Sequence, residues 1–383
     1  MEGGGSLKDE VSPRQGVWEN DGVRVQDALS CPLCGSHGVG LYADLHDRFF
    51  VAPGRWDLRR CPSCGQAWLH PMPEPEELGK LYRFYWEDFD ALFPRVDQGP
   101  LGFAGRGLFQ TATNAALRAM GYPDPVGSPA THILARILPF VPPLKEILDG
   151  TVMSLRQKDQ GRLLDVGCGD GSFLVLMRSI GWQVSGIEPD PEAARVARDQ
   201  HGLDVSLGNI EEVNLPEAAY DAITMQHVIE HVYEPISVLD RTYSALKPGG
   251  VLSIRTPNLD SLGHKRFRDM WMHMDPPRHL RLFIPSTLST CVERAGFSIL
   301  DVHTSPRSAQ TVFDLSNAIR KAPGARFARA PGHRSLRSRL FLIEEAAYCA
   351  AGRELGEEIV LLATREEGGI PEMQMKRKRK SIT

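Results

Sequence analysis

The residues with the clearest chemical potential lie in the middle of the chain, where a glycine-rich turn follows a short apolar stretch. Residues 167–171 read Gly-Cys-Gly-Asp-Gly, directly after Arg162–Val166. Glycine lets the backbone approach a ligand closely because it carries no Cβ. A helix predicted from Ser172 onward directs its free N–H groups toward the same space. The pattern therefore predicts a binding site for a nucleotide-like ligand.

An acidic residue follows the next predicted strand. Gln183–Ile187 is that strand, and Glu188 stands at its carboxyl end. A carboxylate there can accept hydrogen bonds from ribose hydroxyls. The glycine spacing is G-x-G-x-G, and Ser172 occupies the position where a dinucleotide-binding fingerprint requires its last glycine. The spacing therefore departs from that of nicotinamide-dependent enzymes.

The stretch 162–190 resembles motif I of the class I S-adenosylmethionine (SAM) methyltransferases, D-x-G-x-G-x-G, because the strand, turn, helix, second strand and acid occur in that order. The resemblance implies an α/β fold with a Rossmann-like sheet of seven strands in the order 3-2-1-4-5-7-6, the last strand antiparallel. It also implies SAM as cofactor. Its expected contacts are Asp165, Gly167, Gly169 and Gly171 around the methionyl part, Glu188 at the ribose, Asn209 and Ile210 at the adenine, and Gln226 nearby.

Three later segments resemble a large group of small-molecule methyltransferases that includes the ubiquinone-pathway O-methyltransferases. They are QHVIEHV at 226–232, LKPGG at 246–250 and DPPRHL at 275–280. Methyl transfer to a hydroxyl or an acidic C–H needs a base, and histidine titrates near neutral pH. We expect His231 to be that base, with His227 and His279 as alternatives. The alternative for each of these histidines is a purely structural role, in which its hydrogen bonds only hold the loop together.

Two copies of C-P-x-C-G form a second signal. Cys31 and Cys34 lie in the first copy, Cys61 and Cys64 in the second, with 26 residues between the copies. Four thiolates at this spacing predict a closed, structural Zn²⁺ site of the zinc-ribbon type. The alternative is four unrelated thiols or a disulfide pair. We expect Cys168, Cys291 and Cys349 to be packing residues.

Composition shifts divide the chain into segments. We predict a disordered tail over 1–25, a zinc ribbon over 26–72, a helical linker and cap over 73–155, a methyltransferase domain over 156–365 and a basic disordered tail over 366–383. The linker contains an aromatic group that either packs on the catalytic domain or lines the active site. Its members are Tyr82, Phe84, Tyr85, Trp86 and Phe89.

An insertion over 307–355 separates the last two predicted strands of the domain. It is rich in arginine, and Leu336, Leu340, Ile343 and Ala347 lie at helical spacing within it. A pair of basic surface helices over the cleft is the first interpretation. A site for an anionic substrate and a contact with a membrane surface are the alternatives.

The composition bounds the class of protein. The chain has 383 residues, 42% hydrophobic and 24% charged, with a formal net charge of −4. This charge argues against nucleic-acid binding by the whole surface. No run of about 18 apolar residues predicts a membrane span, and residues 1–10 lack the apolar core of a secretory signal. We therefore expect a cytoplasmic protein with reduced thiols.

The function these patterns predict is SAM-dependent methylation of a small molecule, at an oxygen of a sugar, nucleotide-sugar or lipid-type acceptor. Relatives with a zinc ribbon also methylate carbon on keto-sugars, so C-methylation is an alternative. RNA methylation and a non-catalytic SAM-binding scaffold are two others. The pattern does not specify the oligomeric state.

Overall fold

The N-terminal part of the chain forms two small antiparallel sheets. The structure is a computed structural model that describes residues 17–49, 52–82, 111, 114–123, 129–137, 146, 149–321 and 335–366. The N-terminal strands are β1 (Val17–Asn20), β2 (Val23–Gln26), β3 (Val39–Leu45), β4 (Trp56–Arg60), β5 (Ala67–His70) and β6 (Met72–Pro73). Strands β1, β2 and β6 form one sheet, and β3, β4 and β5 pair in the other.

Residues 17–26, most of which the sequence assigned to a disordered tail, form the hairpin of β1 and β2 instead. Val23 and Val25 are fully buried, because they alternate with polar residues on a strand that has one covered face. The acidic and glycine-rich surroundings concealed this short alternation. Residues 1–16, the C-terminal basic tail and the aromatic residues from Phe84 to Phe89 lie outside the described residues.

The C-terminal part is built on one sheet of seven strands. The remaining strands are β7 (Arg162–Val166), β8 (Gln183–Glu188), β9 (Asp204–Leu207), β10 (Tyr220–Gln226), β11 (Leu246–Pro257), β12 (Arg281–Leu282), β13 (Ser298–Ser305) and β14 (Glu358–Thr364). All but β12 form the sheet, in the order β9-β8-β7-β10-β11-β14-β13. Strand β14 runs antiparallel to both neighbours. This order confirms the predicted 3-2-1-4-5-7-6 sheet.

Helices cover both faces of this sheet. They are α1 (Leu78–Leu81), α2 (Pro129–Ile137), α3 (Ser172–Ser179), α4 (Pro191–Asp199), α5 (Pro235–Ala245), α6 (Leu262–Phe267), α7 (Pro285–Arg294), α8 (Ala309–Lys321) and α9 (Leu336–Ala350). One buried cluster contains Tyr122, Leu174 and Trp182. The other extends from Trp56 and Trp68 of the N-terminal part into the sheet. The two parts therefore share one continuous hydrophobic core.

Helices α8 and α9 occupy the predicted insertion between β13 and β14. Each helix has one buried side and one exposed side, and the position of the pair over the cleft stays a prediction. Val312 and Leu315 of α8 are buried, and Phe341 of α9 packs against Phe313 with ring centroids 5.2 Å apart. Within the described part of the chain, no helix is both long and apolar enough to cross a membrane.

The N-terminal sheet is joined to the C-terminal part by strand pairing and by a buried ion pair. Strand β12 pairs antiparallel with β5 and so becomes the fourth strand of the sheet formed by β3, β4 and β5, which we call the ribbon sheet. Just before β12, Arg278 donates to both oxygens of Asp47, each at 2.8 Å, and neither side chain is exposed. Burial opposes ionisation of Asp47, but the hydrogen bonds from Arg278 outweigh it and hold the pKa of Asp47 below its usual range.

We predict that Asp47→Ala destabilises the folded protein by about 3–5 kcal/mol, because it removes one of the two carboxylates that match the buried guanidinium of Arg278. Urea denaturation measures this change. The matched control is Glu192→Ala, which removes an exposed partner of Arg195 and should leave the unfolding midpoint almost unchanged. Equal midpoints for the two variants would contradict a structural role for the buried pair.

Candidate functional site

The glycine turn lies at the carboxyl end of β7. Gly167, Gly169 and Gly171 have φ angles of 70°, 56° and 82°, a left-handed region that other residues seldom adopt. Space also requires glycine at the first position, since a Cβ on Gly167 would lie 2.7 Å from Cγ2 of Val228. The turn therefore packs against the loop that carries the predicted base.

Two acidic side chains lie beside this turn. Oxygens of Glu188 accept hydrogen bonds from the N–H groups of Gly169, at 2.8 Å, and Asp190, at 2.9 Å. Asp165 accepts one from the Thr224 hydroxyl at 2.6 Å. Burial raises the pKa of both acids to about 7, and the charge of Glu188 adds to the effect on Asp165. Desolvated acids of this kind suit SAM, which offers hydroxyl donors and positive charge.

The remaining predicted cofactor contacts lie on the same edge of the sheet. The N–H of Gly208 donates to the carbonyl of Glu188 at 3.0 Å, which brings the turn after β9 next to the acid. In that turn Asn209 is exposed and Ile210 is buried. Gln226 is the exposed last residue of β10. The contacts of these three residues with an adenine or ribose stay predictions.

Four histidines gather at the carboxyl end of β10. His227 and His231 come from the loop after β10, and His273 and His279 from the segment before β12. The ring centroids of His231 and His279 are 4.6 Å apart, and those of His227 and His273 are 5.9 Å apart. The N–H of Leu280 donates to the carbonyl of Glu230 at 2.9 Å and joins the two segments. All three predicted base candidates thus share one site.

His227 is held as a cation between two buried carboxylates. Its Nδ1 lies 3.3 Å from Oε1 of Glu230, and its Nε2 lies 3.5 Å from Oε1 of Glu358. Burial alone would lower the pKa of His227, but the two carboxylates outweigh burial and raise it to about 10. At neutral pH this ring has no lone pair with which to accept a proton.

His231 has the opposite electrostatic environment. Burial and the neighbouring His279 lower its pKa to about 4, so the ring is neutral at neutral pH. Its Nδ1 lies 2.9 Å from the Tyr82 hydroxyl and 3.1 Å from the Arg278 carbonyl. Among the described residues, no hydrogen-bond partner occupies Nε2. This nitrogen is free to accept a proton.

Other histidines and several residues that the sequence did not single out hold this arrangement together. His279 is buried, and its Nδ1 lies 2.7 Å from the His273 carbonyl. Thr256 donates to Oε2 of Glu230 at 2.9 Å, and Glu358 comes from β14. Sequence spacing gave no signal for Thr256 or Glu358, because sheet pairing brings them to the histidines: β11 pairs with β10 and carries Thr256, and β14 pairs with β11 and carries Glu358.

The four predicted zinc ligands converge in the N-terminal part. Sulfur atoms of Cys31 and Cys64 are 3.6 Å apart, and those of Cys34 and Cys61 are 3.4 Å apart. A disulfide would require about 2.05 Å. Tetrahedral coordination with Zn–S bonds of about 2.3 Å places sulfurs about 3.8 Å apart, close to the observed values. The cluster therefore fits a Zn²⁺ ion, and the disulfide alternative does not fit these distances.

Comparison with known proteins finds methyltransferases similar to the C-terminal part of the chain. Residues 143–302 match the family model described as a methyltransferase domain. The chain is 34% identical over 127 residues to malonyl-[acyl-carrier protein] O-methyltransferase of Serratia marcescens, which covers 33% of this chain and 49% of that protein. It is 36% identical over 104 residues to ubiquinone biosynthesis O-methyltransferase of Xanthomonas campestris. This match covers 25% of this chain and 43% of that protein.

The chain spans about half the length of the curated relatives it matches. A solved SAM-dependent methyltransferase from Thermotoga maritima aligns at 20% identity over 61% of this chain and 95% of its own, with a TM-score of 0.39. The fold is assigned from the strand order of the seven-stranded sheet. The chain carries a class I SAM-dependent methyltransferase domain, preceded by a cluster of four cysteines.

We predict that SAM binds about a hundredfold more weakly near pH 6 than near pH 8. The pKa values of Asp165 and Glu188 are raised to about 7 in the free protein, so both acids carry protons below that pH and must lose them to solvent when SAM binds, each at a cost of about tenfold in affinity over this range. Isothermal titration in buffers of different ionisation enthalpy measures affinity and proton release together. Glu188→Gln should bind more weakly and lose part of the pH dependence, and a pH-independent affinity in the unchanged protein would contradict the assignment.

We also predict one zinc ion per chain by elemental analysis of the purified protein. Cys61→Ser should lose the metal, because three thiolates do not complete a structural site. Cys349→Ser is the control, since this thiol lies outside the cluster. Retention of stoichiometric zinc in Cys61→Ser, or its absence from the unchanged protein, would contradict the site.

Proposed function

We propose that the protein is an enzyme that transfers the methyl group of SAM to an oxygen atom of a small-molecule acceptor of the sugar, nucleotide-sugar or lipid type. The neutral imidazole of His231, beside the glycine turn, carries this proposal. The loop that supplies His231 touches the turn through Val228. Two relatives are named O-methyltransferases, which supports oxygen as the accepting atom.

SAM supplies an electrophilic methyl group on a sulfonium, and the protein must position the acceptor and remove one proton. Holding the acceptor hydroxyl against the methyl group supplies a large share of the rate. We assign proton acceptance to Nε2 of His231, whose Nδ1 is engaged by Tyr82 and the Arg278 carbonyl. The hydroxyl proton passes to this nitrogen as the bond between the acceptor oxygen and the methyl carbon forms and the methyl–sulfur bond breaks, which leaves S-adenosylhomocysteine.

Glu230 stabilises the imidazolium that this step creates. Burial opposes ionisation of Glu230, but the nearby histidines, His227 first, outweigh it and lower its pKa to about 2. Its carboxylate is therefore charged at neutral pH, and its Oε2 is fixed by Thr256. A fixed negative charge next to His231 favours the protonated ring without itself taking the proton.

The zinc ribbon braces this site in our proposal. Zn²⁺ held by Cys31, Cys34, Cys61 and Cys64 would tie together two turns at one end of the ribbon sheet, the turn before β3 and the turn between β4 and β5. The ribbon then holds the segment before β12 through the β5–β12 pairing and the Asp47–Arg278 ion pair. The same segment supplies His279 and the carbonyl that His231 contacts. The metal has a structural role here and takes no part in the transfer.

The predicted domain boundaries belong to the same proposal. We assign residues 26–72 to the ribbon, 73–155 to a linker and cap, and 156–365 to the catalytic domain. Tyr82 of the linker reaches the base, which supports active-site lining by at least that member of the aromatic group. A base placed in this way also serves an acidic C–H, so product analysis must separate O-methylation from C-methylation.

We predict that His231→Gln lowers the turnover number by about 10²–10⁴-fold, because it removes the proton acceptor while filling similar space. Release of S-adenosylhomocysteine, with mass analysis of products from a panel of sugars, nucleotide sugars and phenolic lipids, measures turnover. SAM affinity should change little. His132→Gln, an exposed change on α2, is the control.

The pH dependence follows from the same assignment. Because the pKa of His231 is lowered to about 4, the ring is fully neutral above about pH 6. It becomes protonated, and the base is lost, as the pH falls through about 4. At saturating SAM, turnover should therefore hold between about pH 6 and about pH 8 and fall below about pH 5. An acidic limb centred near the ordinary histidine pKa of about 6.5 would contradict His231 as the base.

A further inference from the structure

Helix α9 exposes a row of apolar side chains. Leu336, Leu340 and Ile343 are 73%, 57% and 64% exposed. At about 100° per residue, their positions fall within an arc of about 60° on the helix surface. The opposite side, with Phe341 and Glu345, is the one packed against the protein. Helical spacing of apolar residues usually marks a buried face, but this apolar row faces outward.

Positive charge surrounds this row. Arg337 and Arg339 are exposed and fall on either side of it around the helix. In the sequence, residues 320–339 contain no aspartate or glutamate and many basic residues, although the whole chain has a net charge of −4. The basic residues are Arg320, Lys321, Arg326, Arg329, Arg334, Arg337 and Arg339. In the sequence, positive charge is thus concentrated in the segment that leads into α9 and in its first turn.

The helix is firmly attached on its inner side. The Ser335 hydroxyl accepts a hydrogen bond from the N–H of Ser338 at 3.0 Å and caps the first turn. Glu344 forms an ion pair with Arg266 of α6 at 3.0 Å. Because the helix is held in place, its exposed apolar side chains form one continuous surface.

We infer that this face of α9 binds the surface of an anionic phospholipid membrane, with the helix lying in the plane of the interface. The apolar row enters the boundary between headgroups and acyl chains, and the flanking arginines pair with lipid phosphates. Neither a second copy nor nucleic acid matches this surface. Two copies meeting through the same face would bring Arg337 and Arg339 near their equivalents, and a row of aliphatic side chains offers a base neither stacking nor hydrogen bonds.

Flotation with lipid vesicles tests the inference on the full chain. The unchanged protein should bind vesicles of phosphatidylcholine with about one third phosphatidylglycerol, bind pure phosphatidylcholine weakly, and dissociate as salt is added. Leu340→Asp should lower binding about tenfold or more. Leu300→Asp, which alters an exposed leucine on β13 away from the row, should bind normally.

A charge-matched pair of variants completes the experiment. Arg337→Glu with Arg339→Glu should lower binding about tenfold or more, because each basic residue near the surface contributes to attraction. Arg156→Glu with Lys158→Glu has the same spacing and the same charge change, and it should bind normally. Thermal unfolding and SAM binding confirm that each variant is folded.

Three outcomes would overturn the inference. The unchanged protein could fail to bind anionic vesicles at low salt. Binding could survive Leu340→Asp, which would assign it to another basic segment, such as residues 376–380, present in every variant. A concentration-dependent dimer abolished by Leu340→Asp would assign the row to self-association instead. Vesicle binding needs neither SAM nor an acceptor, so its result is independent of the proposed methyl transfer.

Discussion

The arrangement of the candidate site depends on one buried ion pair, between Asp47 of the N-terminal part and Arg278 of the segment before β12. A fully buried arginine is tolerated only where its charge is matched, and here Asp47 and Asp275 match it. The pair fixes the backbone of Arg278, whose carbonyl lies 3.1 Å from Nδ1 of His231. Through this contact, the N-terminal part and the seven-stranded sheet meet at the candidate site.

Four histidines share one site, but the environments of two of them, His227 and His231, favour opposite protonation states. His227 lies between Glu230 and Glu358 and is cationic. His231, four residues later, has a carbonyl and a hydroxyl at Nδ1 and is neutral. The surroundings of each ring thus give two histidines different charges. A fixed cation orders the carboxylates, and a neutral ring is left to accept a proton.

Much of this could be predicted from the sequence, because the deciding signals are local. The glycine turn, Glu188, the paired cysteine motifs and the strand order follow from spacing and from a family resemblance carried by contiguous motifs. What could not be predicted depends on distant pairing. Asp47 has no motif around it, and its contact with Arg278 exists only because β12 joins the ribbon sheet. The hairpin at Val23 was hidden by polar surroundings, and the outward face of α9 was hidden by helical spacing typical of a core.

The most direct measurement is the titration of the individual histidine rings by NMR in protein labelled at histidine, assigned with His227→Gln and His231→Gln. We predict that the His231 ring stays neutral down to about pH 5 and that the His227 ring stays charged up to about pH 9. Two rings that both titrate near the ordinary value of about 6.5 would contradict the division of roles and, with it, His231 as the base.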